Sequence, residues 1–243
     1  MDQDHHRRPH RLRPSRWPRE TFLFRLTHAV VGALLRVLFG FHAEGLERYP
    51  AGAAVLVANH PSALDPLFIA AAVPDRVLFV AAGEFLALPA VGWAMRTYGC
   101  IPVRRGEVDT DAVREALLAL TAGRKVGVFP EGGVSPQPRA PRRGAALLAA
   151  RAGVPITPVA LIGTGRVFPL GARLPRPGRV AVRIGPALPP PAESRGAQEA
   201  AIAEAMAWIR AQGAEPGESG WTPTSRPRRR RRGSTARPGA PRT

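Results

Sequence analysis

Asn59-His60-Pro61-Ser62-Ala63-Leu64-Asp65 places a histidine, a hydroxyl and a carboxylate within one short stretch. An imidazole changes charge near neutral pH, so it can take a proton from a hydroxyl. A carboxylate on its other ring nitrogen fixes the tautomer and stabilises the imidazolium that forms. The spacing His-x-x-x-x-Asp is common, and a structural hydrogen bond explains it as readily as catalysis does. Position adds weight. The apolar run over 53–58 follows Ala51-Gly52 and reads as a buried strand. The cluster then sits at the carboxyl end of a strand, where open α/β sheets place their ligands. Two more expected strand ends are polar: Arg104 and Arg105 follow an expected strand over 100–103, and Glu131 follows another over 125–129. Converging on one rim, these groups would supply a base, its carboxylate partner and cations able to hold an anion.

The elements that must position them can be read from hydrophobic pattern and turn residues. Strands are expected at 53–58, 76–81, 100–103, 125–129, 155–161 and 180–184, with a short one around 41–44. Helices are expected at 65–73, within 84–98, and at 109–121, 142–152 and 193–211. Asp109 or Thr110 would cap the third of these, and Gly123 and Gly153 would stop the third and fourth. Strands alternating with helices predict an α/β domain over 42–212, with a mixed, largely parallel sheet flanked by helices. Pro102, Pro155 and Pro158 predict strand ends or edges, because proline cannot donate to a sheet ladder.

Residues 20–41 form a strongly apolar segment interrupted by Arg25, His28 and Arg36. Its length would span a bilayer, but each arginine near the centre costs about 2.5–3.5 kcal/mol. An interfacial, membrane-associating helix with snorkelling arginines is the better expectation. The chain has 243 residues, 45% of them hydrophobic, enough for one substantial core. Its formal charge of +17 is concentrated in an arm over 1–19 and a tail over 213–243, both expected to be disordered. The arginine run 228–232 suits an anionic membrane surface. Nucleic acid is disfavoured, since no aromatic interleaving or folded nucleic-acid motif accompanies the run. The histidines at 5, 6 and 10 read as part of a solvated arm rather than a metal site. Cys100 is the only cysteine, which excludes an internal disulfide framework and multi-cysteine metal sites. It is expected to be a small buried apolar residue rather than a nucleophile. No secretory signal is evident.

Other chemistries lack their motifs. There is no Gly-x-Ser-x-Gly elbow, no Gly-Lys-Ser/Thr phosphate loop and no His-Glu-x-x-His. Gly163-Thr164-Gly165 lacks the third glycine of a dinucleotide fingerprint. The stretch that opens at Asn59 instead resembles the Asn-His-x-x-x-x-Asp block of the glycerolipid acyltransferases, the family of 1-acylglycerol-3-phosphate acyltransferases. Gly99-Cys100-Ile101-Pro102-Val103-Arg104-Arg105 resembles the family's second block, Phe129-Pro130-Glu131-Gly132 the third, and Val154-Pro155-Ile156-Thr157-Pro158-Val159 the fourth. All four occur in order and in register across roughly 20–212.

The resemblance implies acyl transfer from a thioester, acyl-CoA or acyl carrier protein, to the free hydroxyl of a lysolipid. His60 would be the general base and Asp65 its orienting partner. A thioester is already activated, so neither a metal nor another cofactor is implied. Arg105, with Arg104, would bind the acceptor's phosphate, and Glu131, Gly132 and Gly133 would border the acceptor site. Backbone N–H groups near the fourth block would be candidates to hold the oxyanion. The implied location is the cytoplasmic face of the cell membrane, peripheral or monotopic. One departure stands out: the third block usually continues with an arginine where this chain has Val134. That leaves open Arg104, Arg142 or Arg143 as its replacement, or an acceptor with a different headgroup. A non-catalytic membrane-binding or polyanion-binding role on the same fold is the alternative.

Overall fold

Ala54–Ala58 is buried at every position, which a strand permits only when both faces of its sheet are covered. In the computed structural model, which describes residues 21–82, 99–103, 109–134 and 139–214, this run is β2, near the middle of a seven-stranded sheet. The other strands are β1 (His42–Glu44), β3 (Val77–Ala82), β4 (Cys100–Val103), β5 (Lys125–Val128), β6 (Ile156–Ile162) and β7 (Ala181–Ile184), in the order β1-β7-β6-β2-β5-β3-β4. The five neighbours from β6 to β4 are mutually parallel, so their carboxyl ends share one rim. β7 runs antiparallel to β6 and carries β1 parallel to itself. The sheet is therefore mixed and largely parallel.

Alternate residues of each strand feed opposite cores. On one face Leu56, Phe79, Val159 and Leu161 pack with α1 (Phe22–Phe39) and α2 (Asp65–Ala72). On the other, Val55, Val57, Leu78 and Val126 pack against α3 (Thr110–Thr121), α4 (Gly144–Ala152) and α6 (Arg195–Ala211). A short helix, α5 (Thr164–Val167), leaves β6 at the rim and was not anticipated by the hydrophobic pattern.

Asp109 is the cap of α3, its side chain accepting the Ala112 N–H, and Gly153 ends α4 in the left-handed region. α1 is likewise closed by local chemistry. The Thr21 hydroxyl accepts the Phe24 N–H, and Gly40 turns left-handed at φ 48° after the last residue. Its buried stripe is Phe24, Leu35 and Phe39, packed on the domain. No described helix is long and apolar enough to cross a membrane.

Pro102 lies in the edge strand β4 and Pro155 precedes β6, as expected. Pro158 does not fit that rule, because it sits in the interior strand β6. The sheet tolerates it because the β6–β7 pairing steps by one residue there, from Val159 opposite Ile184 to Ile156 opposite Leu188. The Pro158 carbonyl still accepts the Gly185 N–H at 2.9 Å. The expected helix within 84–98, the arm over 1–19, and the tail beyond 214 lie outside the described residues, as do Arg104 and Arg105.

Candidate active site

β2 delivers the dyad through a side-chain rung. Asn59 donates through Nδ2 to the Leu161 carbonyl at 2.9 Å and accepts the Leu161 N–H through Oδ1 at 2.8 Å. Its amide thus continues the β2–β6 ladder by one step and fixes the backbone from which His60 projects. Asp65 is the first residue of α2, where the helix's positive end favours a carboxylate. Its Oδ2 accepts the Ser62 N–H at 2.8 Å and lies 2.8 Å from His60 Nδ1. Facing an acceptor, Nδ1 carries the proton, so the Nε2 lone pair is left to act as base. Asp65 is fully buried and the His60 side chain is 13% exposed, so the carboxylate is sealed while the ring reaches solvent. Burial pushes the Asp65 carboxyl above its ordinary range, and the His60 hydrogen bond and charge, the Thr164 hydroxyl and the Ser62 N–H oppose that rise. The Ser62 hydroxyl is occupied structurally: it accepts the Leu64 N–H and donates to the Phe168 carbonyl.

β5 lies beside β2, and this brings the third block to the dyad. Phe129 stacks on the His60 ring with centroids 4.0 Å apart and planes 15° apart. Phe79 stacks behind it, 5.9 Å away and 11° off parallel. Gly127 makes room for the column, since a Cβ there would lie 2.5 Å from the Phe79 ring. Glu131 is 4% exposed, and its Oε1 has no hydrogen-bond partner. Burial pushes its pKa up, with the Asp65 charge adding to the rise. The His60 charge and backbone N–H and the Arg139 charge pull it down. Gly132 and Gly133 follow at φ 76° and 142°. Both conformations suit glycine, and the bare backbone leaves space for a ligand.

Of the residues singled out from sequence, His60, Asp65, Glu131, Gly132 and Gly133 therefore meet at one rim. Arg104 and Arg105 follow β4, separated from β2 by β5 and β3 in the sheet. Backbone donors near the fourth-block strand that could face the dyad lie past its carboxyl end rather than within the block itself. Ile156 and Val159 are tied into the sheet, Pro158 has no N–H, and the block begins at the end of β6 remote from the dyad. The part of β6 nearest His60 is its carboxyl end, with Gly163 and Thr164. Cys100 is half-buried in β4, and desolvation pushes its thiol up to about 11, which leaves it protonated at neutral pH. A separate groove of about 580 Å³, lined by His28, Arg36, Tyr49 and Asp75, lies at the opposite end of the sheet.

Asn59's clamp, the Phe129 stack and the Gly127 clearance were not assigned from sequence. Asn59 and Phe129 stood inside recognised blocks, but their roles depend on which strands are neighbours.

The chain is 32% identical over 135 residues to a chloroplastic 1-acyl-sn-glycerol-3-phosphate acyltransferase of Brassica napus, covering 53% of this chain and 39% of that protein. It is 30% identical over 187 residues to the 1-acyl-sn-glycerol-3-phosphate acyltransferase of Pseudomonas aeruginosa, covering 72% and 70%. The crystal structure of the 1-acyl-sn-glycerophosphate (LPA) acyltransferase of Thermotoga maritima matches it with a TM-score of 0.66 at 26% identity, over 82% of this chain and 81% of that one. The chain thus spans about two fifths of the length of the chloroplastic relative and more of the bacterial ones. The family model described as Acyltransferase matches residues 40–162, a span that contains the dyad, its stacking column and Glu131, and the chain belongs to that family.

Proposed function

We propose that the protein transfers a fatty acyl group from acyl-CoA or acyl carrier protein to the free hydroxyl of a lysoglycerolipid. The foremost acceptor is 1-acylglycerol-3-phosphate, which would yield phosphatidic acid for phospholipid synthesis. The observation that carries the reading is the His60 Nδ1–Asp65 Oδ2 contact of 2.8 Å, which leaves Nε2 as a base at the rim. Nε2 takes the proton of the acceptor hydroxyl as its oxygen attacks the thioester carbonyl. A C–O bond forms and the C–S bond breaks. The imidazolium then returns the proton to the departing thiolate, and Asp65 stabilises the positive ring in between. The names of the Brassica and Pseudomonas relatives support the choice of acceptor. In this reading Arg105 and Arg104 meet the acceptor phosphate, and Glu131, Gly132 and Gly133 border it. The reaction takes place at the cytoplasmic face of the membrane, with α1 lying on the surface.

The test is turnover by purified protein of isotope-labelled acyl-CoA and acyl carrier protein against a mixture of lysolipids, read by mass spectrometry. The expected result is labelled phosphatidic acid, with His60→Ala lowering turnover by about 10²–10⁴-fold. Near-parental turnover by His60→Ala would overturn the mechanism, and no product from any lysolipid would overturn the activity.

A further inference from the structure

Gly163-Thr164-Gly165, which carries no dinucleotide fingerprint, stands where β6 reaches the dyad. Hydrogen bonds bracket it against the loop from Asn59 to Asp65. Asn59 is tied to Leu161 before it, and after it the Phe168 carbonyl accepts the Ser62 hydroxyl at 2.9 Å. α5 fills the interval, closed by the Phe168 N–H on the Thr164 carbonyl at 2.9 Å. Gly163 fixes where α5 begins. Its φ is 84°, and a Cβ there would collide with the Arg179 carbonyl oxygen, so the chain turns where no side chain fits. Thr164 is thereby carried against Asp65, and both side chains are fully buried. Asp65 Oδ2 has two partners, the Ser62 N–H and His60 Nδ1. Asp65 Oδ1 has no hydrogen bond of ordinary geometry, and neither has Thr164 Oγ1. The hydroxyl is near enough to stabilise the carboxylate. A buried carboxylate oxygen without a donor and a buried hydroxyl without an acceptor are each costly, and each is what the other lacks. The charged neighbours do not serve Oδ1. His60 meets the other oxygen, the Glu131 charge opposes that of Asp65, and Arg166, the one ionisable residue of α5, is exposed.

Building on the acyl-transfer reading, we infer that Thr164 is a positioning residue of the dyad, its hydroxyl donating to Asp65 Oδ1 as the Ser62 N–H donates to Oδ2. With a donor on each oxygen, the buried carboxylate stays ionised and accepts the Nδ1 proton instead of taking it. That keeps the Nε2 lone pair of His60 free for the acceptor hydroxyl. α5 thus holds the dyad at both ends, through the Thr164 side chain at its start and the Phe168 carbonyl on Ser62 just past its end.

The experiment follows the dyad in the full chain by NMR of isotope-labelled histidine, for the parent, Thr164→Val and Thr164→Ser. The His60 ring signals are assigned by their loss in His60→Gln, and melting curves confirm that each variant is folded. Valine keeps the volume and drops the hydroxyl, whereas serine keeps the hydroxyl and drops the methyl group. Without its donor the carboxylate holds the shared proton more tightly. Thr164→Val is therefore expected to move the dyad's titration to higher pH by about one unit, and the acid limb of the turnover profile with it. Turnover on that limb should fall by about 10-fold at an unchanged KM for the thioester. Thr164→Ser should leave both profiles in place. An unchanged titration in Thr164→Val overturns the inference. An equal shift in Thr164→Ser overturns it too, since that marks packing of the methyl group. If Thr164→Val does not fold, the parent decides by itself. In threonine-labelled protein the Thr164 hydroxyl proton should exchange slowly and shift as the dyad titrates, and a hydroxyl that exchanges freely or ignores the titration overturns the inference. The ring titration needs no substrate, so a parent that titrates as expected but transfers no acyl group counts against the acyl-transfer reading alone.

Discussion

Glu131 is a buried carboxyl whose Oε1 has no hydrogen-bond partner, and burial is the main reason its pKa is raised. A raised folded-state pKa means that the folded protein holds this proton more tightly than the unfolded chain does. The stabilising contribution is fully present below the ordinary glutamate pKa and is lost as pH rises through the folded value. Above the folded value the buried carboxylate therefore works against folding. Glu131→Gln keeps the shape and removes the ionisation. Its melting temperature is expected to exceed the parent's at pH 8, with the gain shrinking towards pH 4. Thermal unfolding across that range checks it, and a gain that grew on acidification would contradict the assignment. On the proposed acyl-transfer reading, in which Glu131 would border the acceptor, the same substitution should also slow acyl transfer. At this scale the sequence was legible where chemistry is local. His60 and Asp65 are five residues apart, and one loop brings them to 2.8 Å. Asn59 holding Leu161 was not legible, since it depends on a contact between segments distant in the chain.

At the scale of elements, β5 supports the dyad from the side. Gly127 of β5 lies under Phe79 of β3, Phe79 stacks with Phe129, and Phe129 stacks with His60. Adding a methyl group at Gly127 would place Cβ at 2.5 Å from two atoms of the Phe79 ring, so that ring must move and the column with it. Gly127→Ala is expected to cost about 1–3 kcal/mol in urea unfolding, the usual range for overpacking a core. It should also lower kcat more than it raises the KM for the thioester, because it tilts the base without touching the substrate. Gly52→Ala is the control, since nothing lies within 4 Å of a Cβ there. An unchanged kcat in a destabilised Gly127→Ala would show that the stack does not orient His60. Strand and helix positions were largely readable, because apolar runs, caps and glycine stops are local signals. Strand order was not. Nothing in the spacing says that β5 lies between β2 and β3, or that β7 runs antiparallel. Pro158 misled for the same reason: the one-residue step in pairing that accommodates it belongs to two strands together.

At the scale of the whole molecule, α1 carries an apolar face that is exposed among the described residues. On α1, Phe22, Leu26, Val30, Leu34, Val37 and Leu38 are exposed while Phe24, Leu35 and Phe39 are buried, so the helix carries two apolar stripes and the domain uses only one. Arg25 and Arg36 are exposed and eleven residues apart, close to three helical turns, which puts them on one flank of the free stripe. The end of α1 joins the loop that leaves α5, through the Val180 N–H and the Phe39 carbonyl at 3.1 Å. That loop exposes Leu170 and Leu174, and its start takes the Ser62 hydroxyl at Phe168. An apolar strip of α1 is therefore connected, through one loop, to the segment that holds the dyad. A stripe of this kind with arginines on its flank fits a helix lying in a membrane interface. The paired substitution Val30→Glu with Leu34→Glu should then reduce co-sedimentation with phosphatidylglycerol–phosphatidylcholine vesicles by about 10²-fold or more, from the roughly 1.5–3 kcal/mol each side chain contributes when buried. Melting temperature should hardly change, because both side chains face away from the core. Raising the salt concentration separates the two contributions. It should weaken the parent's attachment only as far as the arginines supply it, since apolar burial is not screened. If the doubly substituted protein still sediments with the vesicles at low salt and is released at high salt, the basic residues hold the membrane without the apolar stripe, and the stripe needs a protein partner instead.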